Sequence, residues 1–315
     1  MIKTPICELV GIEYPVFQGG MAWIADAKLA AAVSNAGGLG IISAMNADGD
    51  WLREEIRKAK SMTDKPFGVN IMLMSPHVEQ VAKIVIEENV AVVTTGAGNP
   101  SKYIKQWKEA GIKVIPVVPS IAIAKLVTRA GADAVIAEGG ESGGHVGELT
   151  TMALVPQICD VVDVPVIAAG GIADGRGMAA SFMLGAVGVQ MGTRFLVAEE
   201  CSVSKEYKEK ILKAKDIDTM VTGKRLGHPV RLLKNPFARE FRKMEYNSNI
   251  TDEEIEAFGA GSLYRAAKEG DVKNGSFMSG QIAALVKKEE PAAEIIKDVC
   301  QGAEKILAGG MKWVK

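Results

Sequence analysis

The sequence predicts an α/β protein, a (βα)8 TIM barrel with an inserted, mostly helical lobe after the eighth strand, and three observations lead there. Eight short apolar runs rich in Val and Ile begin at residues 14, 38, 67, 90, 113, 134, 165 and 188. Each is followed by a segment of helical spacing, so the starts recur every 21 to 31 residues, the length of one strand plus one helix. Beyond residue 197 the alternation stops and a charged stretch begins.

The runs, from "YPVFQGGM" and "GLGIISA" through "FGVNIML", "VAVVTTGAG", "KVIPVVP", "AVIAEGG" and "PVIAAGGI" to "GVQMGTRF", are nearly continuous in apolar residues. Strands of a parallel sheet covered on both faces read this way. Between them "DAKLAAAVSNAG", "PHVEQVAKIVIEEN" and "SIAIAKLVTRAGA" place apolar residues three and four apart, as helices with one buried face do. An open doubly wound sheet is the alternative, disfavoured because the count stops at eight and no G-x-G-x-x-G follows the first strand. The glycines of "GGLGIIS" precede a strand and do not open a helix. The barrel is assigned to residues 1–197 and 271–315, and the lobe, a cap or substrate-side subdomain, to 198–270. Within and after it, "TDEEIEAFGAGSLYRAAKEG" starts as a capped helix, and "PAAEIIKDVCQGAEKIL" is expected to be the last helix covering the barrel.

A chain of 315 residues, 48% apolar and 24% charged with 34 glycines, can bury a large core. Its N-terminus lacks an apolar signal region and no run of about 18 apolar residues occurs, so a cytoplasmic protein without membrane spans is expected. Cys7, Cys159, Cys201 and Cys300 show no C-x-x-C spacing and read as reduced structural residues. A net charge of −1 gives no reason to expect nucleic-acid binding. The charge is uneven, however: residues 202–243 carry twelve Lys or Arg against five Asp or Glu.

Unusual residues cluster at the strand ends, where such a barrel places its active site. The first strand ends in "QGGM", the third carries Asn70, the sixth runs into "EGGESGGHVGE", the seventh ends in "AAGGI" and the eighth contains "QMGT". Glycine-bearing ends after strands seven and eight commonly hold a phosphate on backbone N–H groups. Gly170, Gly171, Ile172 and Gly192 offer such donors, and Thr193 a hydroxyl. Met21 and Asn70 fall where other parts of a flat ligand would lie. Taken singly, Met21 reads more readily as a core residue, and Asn70 equally well as a turn-bonding residue.

Several motifs in one order, "PVFQGGMAWIAD", "GVNIML", "AEGGESGGHVGE", "VPVIAAGGIADGRG", "QMGTRF" and "NGSFMSGQ", give nearly the whole chain a resemblance to FMN-dependent barrel enzymes of the 2-nitropropane dioxygenase group. That group contains nitronate monooxygenases and the flavin-dependent enoyl-(acyl-carrier-protein) reductase II. "ESGGHVG" and "GHPVRLLKNPFAREF" look more like the reductase. The resemblance implies that Gly20, Met21, Asn70, Glu138, Ser142, Gly143 and Gly144 surround the isoalloxazine and ribityl parts of FMN. It implies that Gly170, Gly171, Gln190, Gly192 and Thr193 hold its phosphate end, and that Met278 and Ser279 approach the flavin edge. His145 becomes the catalytic residue, as proton donor or as the donor that polarises a carbonyl. A homodimer is implied as well, and a monovalent cation is compatible with the resemblance.

The expected activity is transfer of hydride from NADH or NADPH through FMN to a trans-2-enoyl thioester carried on acyl carrier protein, a reaction of bacterial-type fatty acid synthesis. The cationic stretch suits so acidic a carrier, although exposed lysines equally form solvated helix faces. Glu138 and Glu141 are candidates to orient His145. His77 reads as exposed, and His228 as a turn residue. The alternatives are nitronate oxidation on the same fold, which needs no nicotinamide, and a flavin-free phosphate-binding barrel. An IMP-dehydrogenase-like member of the last class needs a cysteine after the sixth strand, and that loop has none.

Overall fold

The computed structural model describes residues 2–44 and 47–309. In chain order its first strands and helices are α1 (Pro5–Val10), β1 (Val16–Gln18), α2 (Ala27–Asn35), β2 (Gly40–Ser43), α3 (Gly49–Met62), β3 (Phe67–Met72), α4 (Val78–Glu87), β4 (Val92–Gly96), α5 (Ser101–Glu109), β5 (Lys113–Val118), α6 (Ile121–Arg129) and β6 (Val135–Glu138). There follow β7 (Gly144–His145), α7 (Thr151–Cys159), β8 (Val166–Ala169), α8 (Gly175–Met183) and β9 (Gly188–Met191). All the strands but β7 pair in parallel in the order β1-β9-β8-β6-β5-β4-β3-β2, and a bridge between Phe17 and Leu39 closes the ring.

The eight barrel strands fall on the eight apolar runs because burial on both faces leaves no polar alternation to interrupt them. One set of side chains, among them Phe17, Ile41, Val92, Ile115, Ile136 and Ile167, fills the barrel interior, with Ile6 of α1 packed against them. The other set meets the helices outside. Side-chain caps fix several helix starts: Asp26 accepts from the Leu29 N–H at 3.0 Å and Asp48 from the Trp51 N–H at 2.9 Å, each worth about 1 kcal/mol.

After β9 come α9 (Lys205–Leu212), β10 (Thr219–Thr222), β11 (Val230–Leu233), α10 (Pro236–Glu245), α11 (Asp252–Gly259), α12 (Ser262–Tyr264) and α13 (Ala292–Gly309). α11 opens with a complete capping box between Thr251 and Glu254, as its sequence suggests. α13 packs on α8 and α2 and completes the outer layer of the barrel. The inserted segment has a core of its own around Met220, Leu232, Phe237, Phe241 and Ile255. It is mostly helical, but its centre is an antiparallel hairpin of β10 and β11. The outer edge of β11 pairs with β7 and, through a bridge from Leu232, with Met278. Met278 and Ser279, beyond the expected boundary at residue 270, are thus tied to the hairpin. Among the described residues no helix is long and apolar enough to cross a membrane, and the four cysteines are free thiols.

Candidate active site

A cavity of about 590 Å³ opens at the C-terminal ends of the barrel strands, within the range typical of cofactor and small-molecule sites. Gly20, Met21 and Asn70 line it from the ends of β1 and β3, and Glu138, Ser142, Gly143, Gly144 and His145 from the loop after β6. Gly170, Gly171, Gln190, Gly192 and Thr193 line it from the ends of β8 and β9, and Met278 reaches it from the far side. Ser279 is fully buried behind Gly143 and is not in the cavity lining; its N–H points to the Arg231 carbonyl.

Several details prepare this wall for a flat ligand. Gly170 and Gly171 have φ of 88° and 73°, the left-handed region that a side chain would strain. A Cβ on Gly143 would fall 2.6 Å from the Ser279 carbonyl carbon, so the loop can pass there only without a side chain. Asn70 Oδ1 accepts from Thr94 Oγ1 at 3.0 Å. Thr193 Oγ1 accepts from the Gly280 N–H at 2.9 Å, which fixes the hydroxyl at the start of the turn after β9. Tyr207, buried from bulk solvent, donates to the Met278 carbonyl at 2.6 Å and anchors that segment.

The lining holds Glu138, Glu141, His145 and His228 and no lysine or arginine. Glu141 is already engaged, its carboxylate accepting from the Thr151 N–H at 2.9 and 3.0 Å and from Thr151 Oγ1 at 3.0 Å, which caps α7. Glu138 is not matched in this way. Its open side faces the cavity and not bulk water, and this burial pushes its pKa up to about 7, the nearby Ser142 hydroxyl pulling weakly the other way. Ser142 Oγ is itself buried without a hydrogen bond of ordinary geometry. His145 stands exposed at the cavity mouth, yet partial desolvation by the surrounding wall lowers its pKa from the ordinary 6.5, and repulsion from His228 adds to the shift. His228, expected as a turn residue, stands in the segment that joins β10 to β11. The register Val230 opposite His145 nevertheless brings that segment to the cavity mouth. Sequence reasoning misses it because no local signal records the pairing. His77 sits half-buried at the start of α4, outside the lining.

The residues fit a phosphate-tailed planar cofactor such as FMN. A glycine wall admits a flat ring, the buried Ser142 hydroxyl, without a well-formed hydrogen bond, offers a polar contact, and the glycine-bearing ends of β8 and β9 supply main chain where cationic side chains are missing. Fold and site together define a barrel enzyme with a cofactor-type cavity at its strand ends. The model of the family described as nitronate monooxygenase matches residues 3–85 and 74–302, and the chain belongs to that family. A solved structure of FabK from Thermotoga maritima is 52% identical, covers 100% of both chains and superimposes with a TM-score of 0.97. A (3aS,4S,5R,7aS)-5-hydroxy-7a-methyl-1-oxo-octahydro-1H-indene-4-carboxyl-CoA dehydrogenase from Rhodococcus jostii is 41% identical over 79% of this chain and 70% of its own. A probable nitronate monooxygenase from Staphylococcus saprophyticus is 36% identical over 97% and 99%.

Proposed function

We propose that the protein is an FMN-dependent enoyl-(acyl-carrier-protein) reductase that uses NADH or NADPH. The observation that carries this reading is the likeness to FabK, the enoyl reductase II, over the whole of both chains, together with a cavity whose wall ends in His145. Gly20, Met21, Asn70, Glu138, Ser142, Gly143 and Gly144 would border the ring and ribityl chain, and Gly170, Gly171, Gln190, Gly192 and Thr193 the phosphate. Bound FMN would supply the redox chemistry, accepting two electrons from the nicotinamide and returning them to the β-carbon of the enoyl thioester.

The protein's own part is to bind, orient and polarise. His145, its pKa lowered by partial desolvation at the cavity mouth, in this reading donates an N–H to the thioester carbonyl as negative charge develops there. A donor placed for such charge contributes about 3 kcal/mol in other enzymes. Glu138, with a pKa of about 7, is half protonated at neutral pH and can donate where an ordinary carboxylate only accepts. Met278 and the turn holding His228 form the outer wall, which limits water around the reacting carbons. Acyl carrier protein is the carrier and a homodimer the proposed assembly, in the cytoplasm.

The test is an anaerobic absorption experiment on the purified protein. Addition of NADH or NADPH is expected to bleach the flavin bands, and crotonyl-CoA to restore them. Bleaching without recovery, or turnover of an alkyl nitronate with oxygen and no nicotinamide, would replace this reading with the oxidation suggested by the name of the staphylococcal relative. Colourless protein that takes up no FMN would exclude both.

A further inference from the structure

The lobe hairpin enters the active-site wall directly. β11 pairs antiparallel with β7, Val230 opposite His145 and Arg231 opposite Gly144, and the Val146 N–H donates to the Pro229 carbonyl at 3.0 Å. A two-residue strand in a loop with glycines at 143, 144 and 147 has little conformational preference of its own, so something outside the loop must hold it. Arg231 makes the connection. Its Nε and Nη2 donate to the Gly140 carbonyl at 3.1 and 2.9 Å, and its Nη1 to Thr219 Oγ1 on β10 at 3.2 Å. Among the described residues no carboxylate forms an ion pair with it. Glu141 attracts its charge, but the Glu141 carboxylate is taken by Thr151. A half-buried guanidinium is therefore spent on a main-chain carbonyl of the glycine-rich loop, with a two-pronged geometry that a lysine cannot reproduce.

We infer that Arg231 is the positioning residue of this active site: by clamping the Gly140 carbonyl and Thr219 from the strand that pairs with Gly144 and His145, it holds the His145 loop in its working conformation. The kinetic consequence rests on the proposed enoyl reductase reading, and the structural consequence does not. The experiment compares the FMN-loaded wild type with Arg231→Ala, Arg231→Lys and Thr219→Val. Amide hydrogen exchange across residues 139–148 is expected to be at least tenfold faster in Arg231→Ala, with the lobe core around Phe237 and Ile255 unchanged. With crotonyl-CoA its kcat is expected to fall at least tenfold while the KM for the nicotinamide stays within twofold. Added guanidinium should restore part of the rate, Arg231→Lys should recover less than half, and Thr219→Val should show a smaller effect of the same sign. Unchanged exchange and unchanged kcat in folded Arg231→Ala would overturn the inference, as would a lysine variant equal to wild type. Should Arg231→Ala fail to fold, the lysine and Thr219→Val variants decide by the same two readouts. A wild type without enoyl reductase activity would remove the proposed function, and the exchange result would still decide whether Arg231 holds the loop.

Discussion

Gly20 and Asn70 touch across the first and third strand ends so closely that a Cβ on Gly20 would lie 2.4 Å from Asn70 Cβ and 2.7 Å from its Cγ. Asn70 cannot simply turn away, because its carbonyl oxygen is held by Thr94 and its own backbone lies in β3, paired with Ser43 and Thr94. Gly20→Ala is thus expected to push the Asn70 amide into the cavity or displace the "QGGM" turn. Overpacking of this kind costs about 1–3 kcal/mol. FMN affinity, followed by quenching of flavin fluorescence, should weaken at least tenfold. Retention of wild-type affinity would show that Asn70 does not border the cofactor.

Glu138 links cofactor-free stability to pH. Its folded pKa of about 7 lies above the ordinary 4.5, so the folded state holds the proton more tightly than the unfolded chain does. The stabilisation is complete below pH 4.5 and is lost as pH rises through 7. Glu138→Gln, uncharged throughout, should abolish this dependence and raise the stability of the FMN-free protein above pH 7 by up to roughly 3 kcal/mol. Thermal midpoints of both proteins between pH 5 and 8.5 measure it. Parallel curves would mean that Glu138 is ionised in the fold.

What could be read from the chain follows a physical divide. Strands β1 to β6, β8 and β9 are legible because doubly buried parallel strands leave unbroken apolar runs, and the strand ends are legible because close backbone passage demands glycine. The hairpin of "TMVT" and "VRLL" is not. Both pieces are short and carry no alternation; β11 gains its place from pairing with β7, a partner distant in the chain, and β10 from pairing with β11. His228 and Arg231 inherit that obscurity, since each reaches the site through register alone. Ser279 shows the complementary case: composition marks a Ser-Gly turn near the end of the chain but cannot say whether Met278, which lines the cavity, or the buried Ser279 turns inward.

His145 and His228 share one electrostatic field at the mouth. Partial desolvation by the cavity wall first, and repulsion from His228 second, hold the His145 pKa below 6.5, so from pH 7 to 8 the imidazole stays neutral and kcat for enoyl reduction is expected to be flat. A rate falling tenfold per pH unit in that window would instead make His145 the proton donor. His145→Ala should lower kcat by about 10²–10³. Removal of the neighbouring ring in His228→Gln should move the imidazole titration of His145, read by NMR, upward toward 6.5, and a downward or absent shift would show that the two rings do not interact.

The cationic stretch is less free than its count implies, and this sharpens the last expectation. Lys205 and Lys213 pair with Glu209, Lys243 with Glu240 and Arg225 with Asp252, at 3.8, 2.9, 3.1 and 2.8 Å. Exposed Lys224 and Arg239 make no ion pair among the described residues, and Lys224 stands in the same hairpin turn as Gly227, His228 and Pro229, which line the cavity. Lys224 is thus an unpaired, exposed cation placed beside the cavity mouth, where an acidic carrier delivering a thioester is expected to dock. Charge reversal in Lys224→Glu is expected to raise the KM for carrier-bound enoyl substrate about five- to tenfold at low salt, less at high salt, where exposed charges are screened. A short uncharged enoyl thioester, which has no carrier to steer, should keep its KM within twofold. Arg239→Glu, farther along the lobe, is expected to add a smaller effect of the same kind. Equal losses on both substrates would place Lys224 in the architecture of the hairpin turn and not in recognition of the carrier.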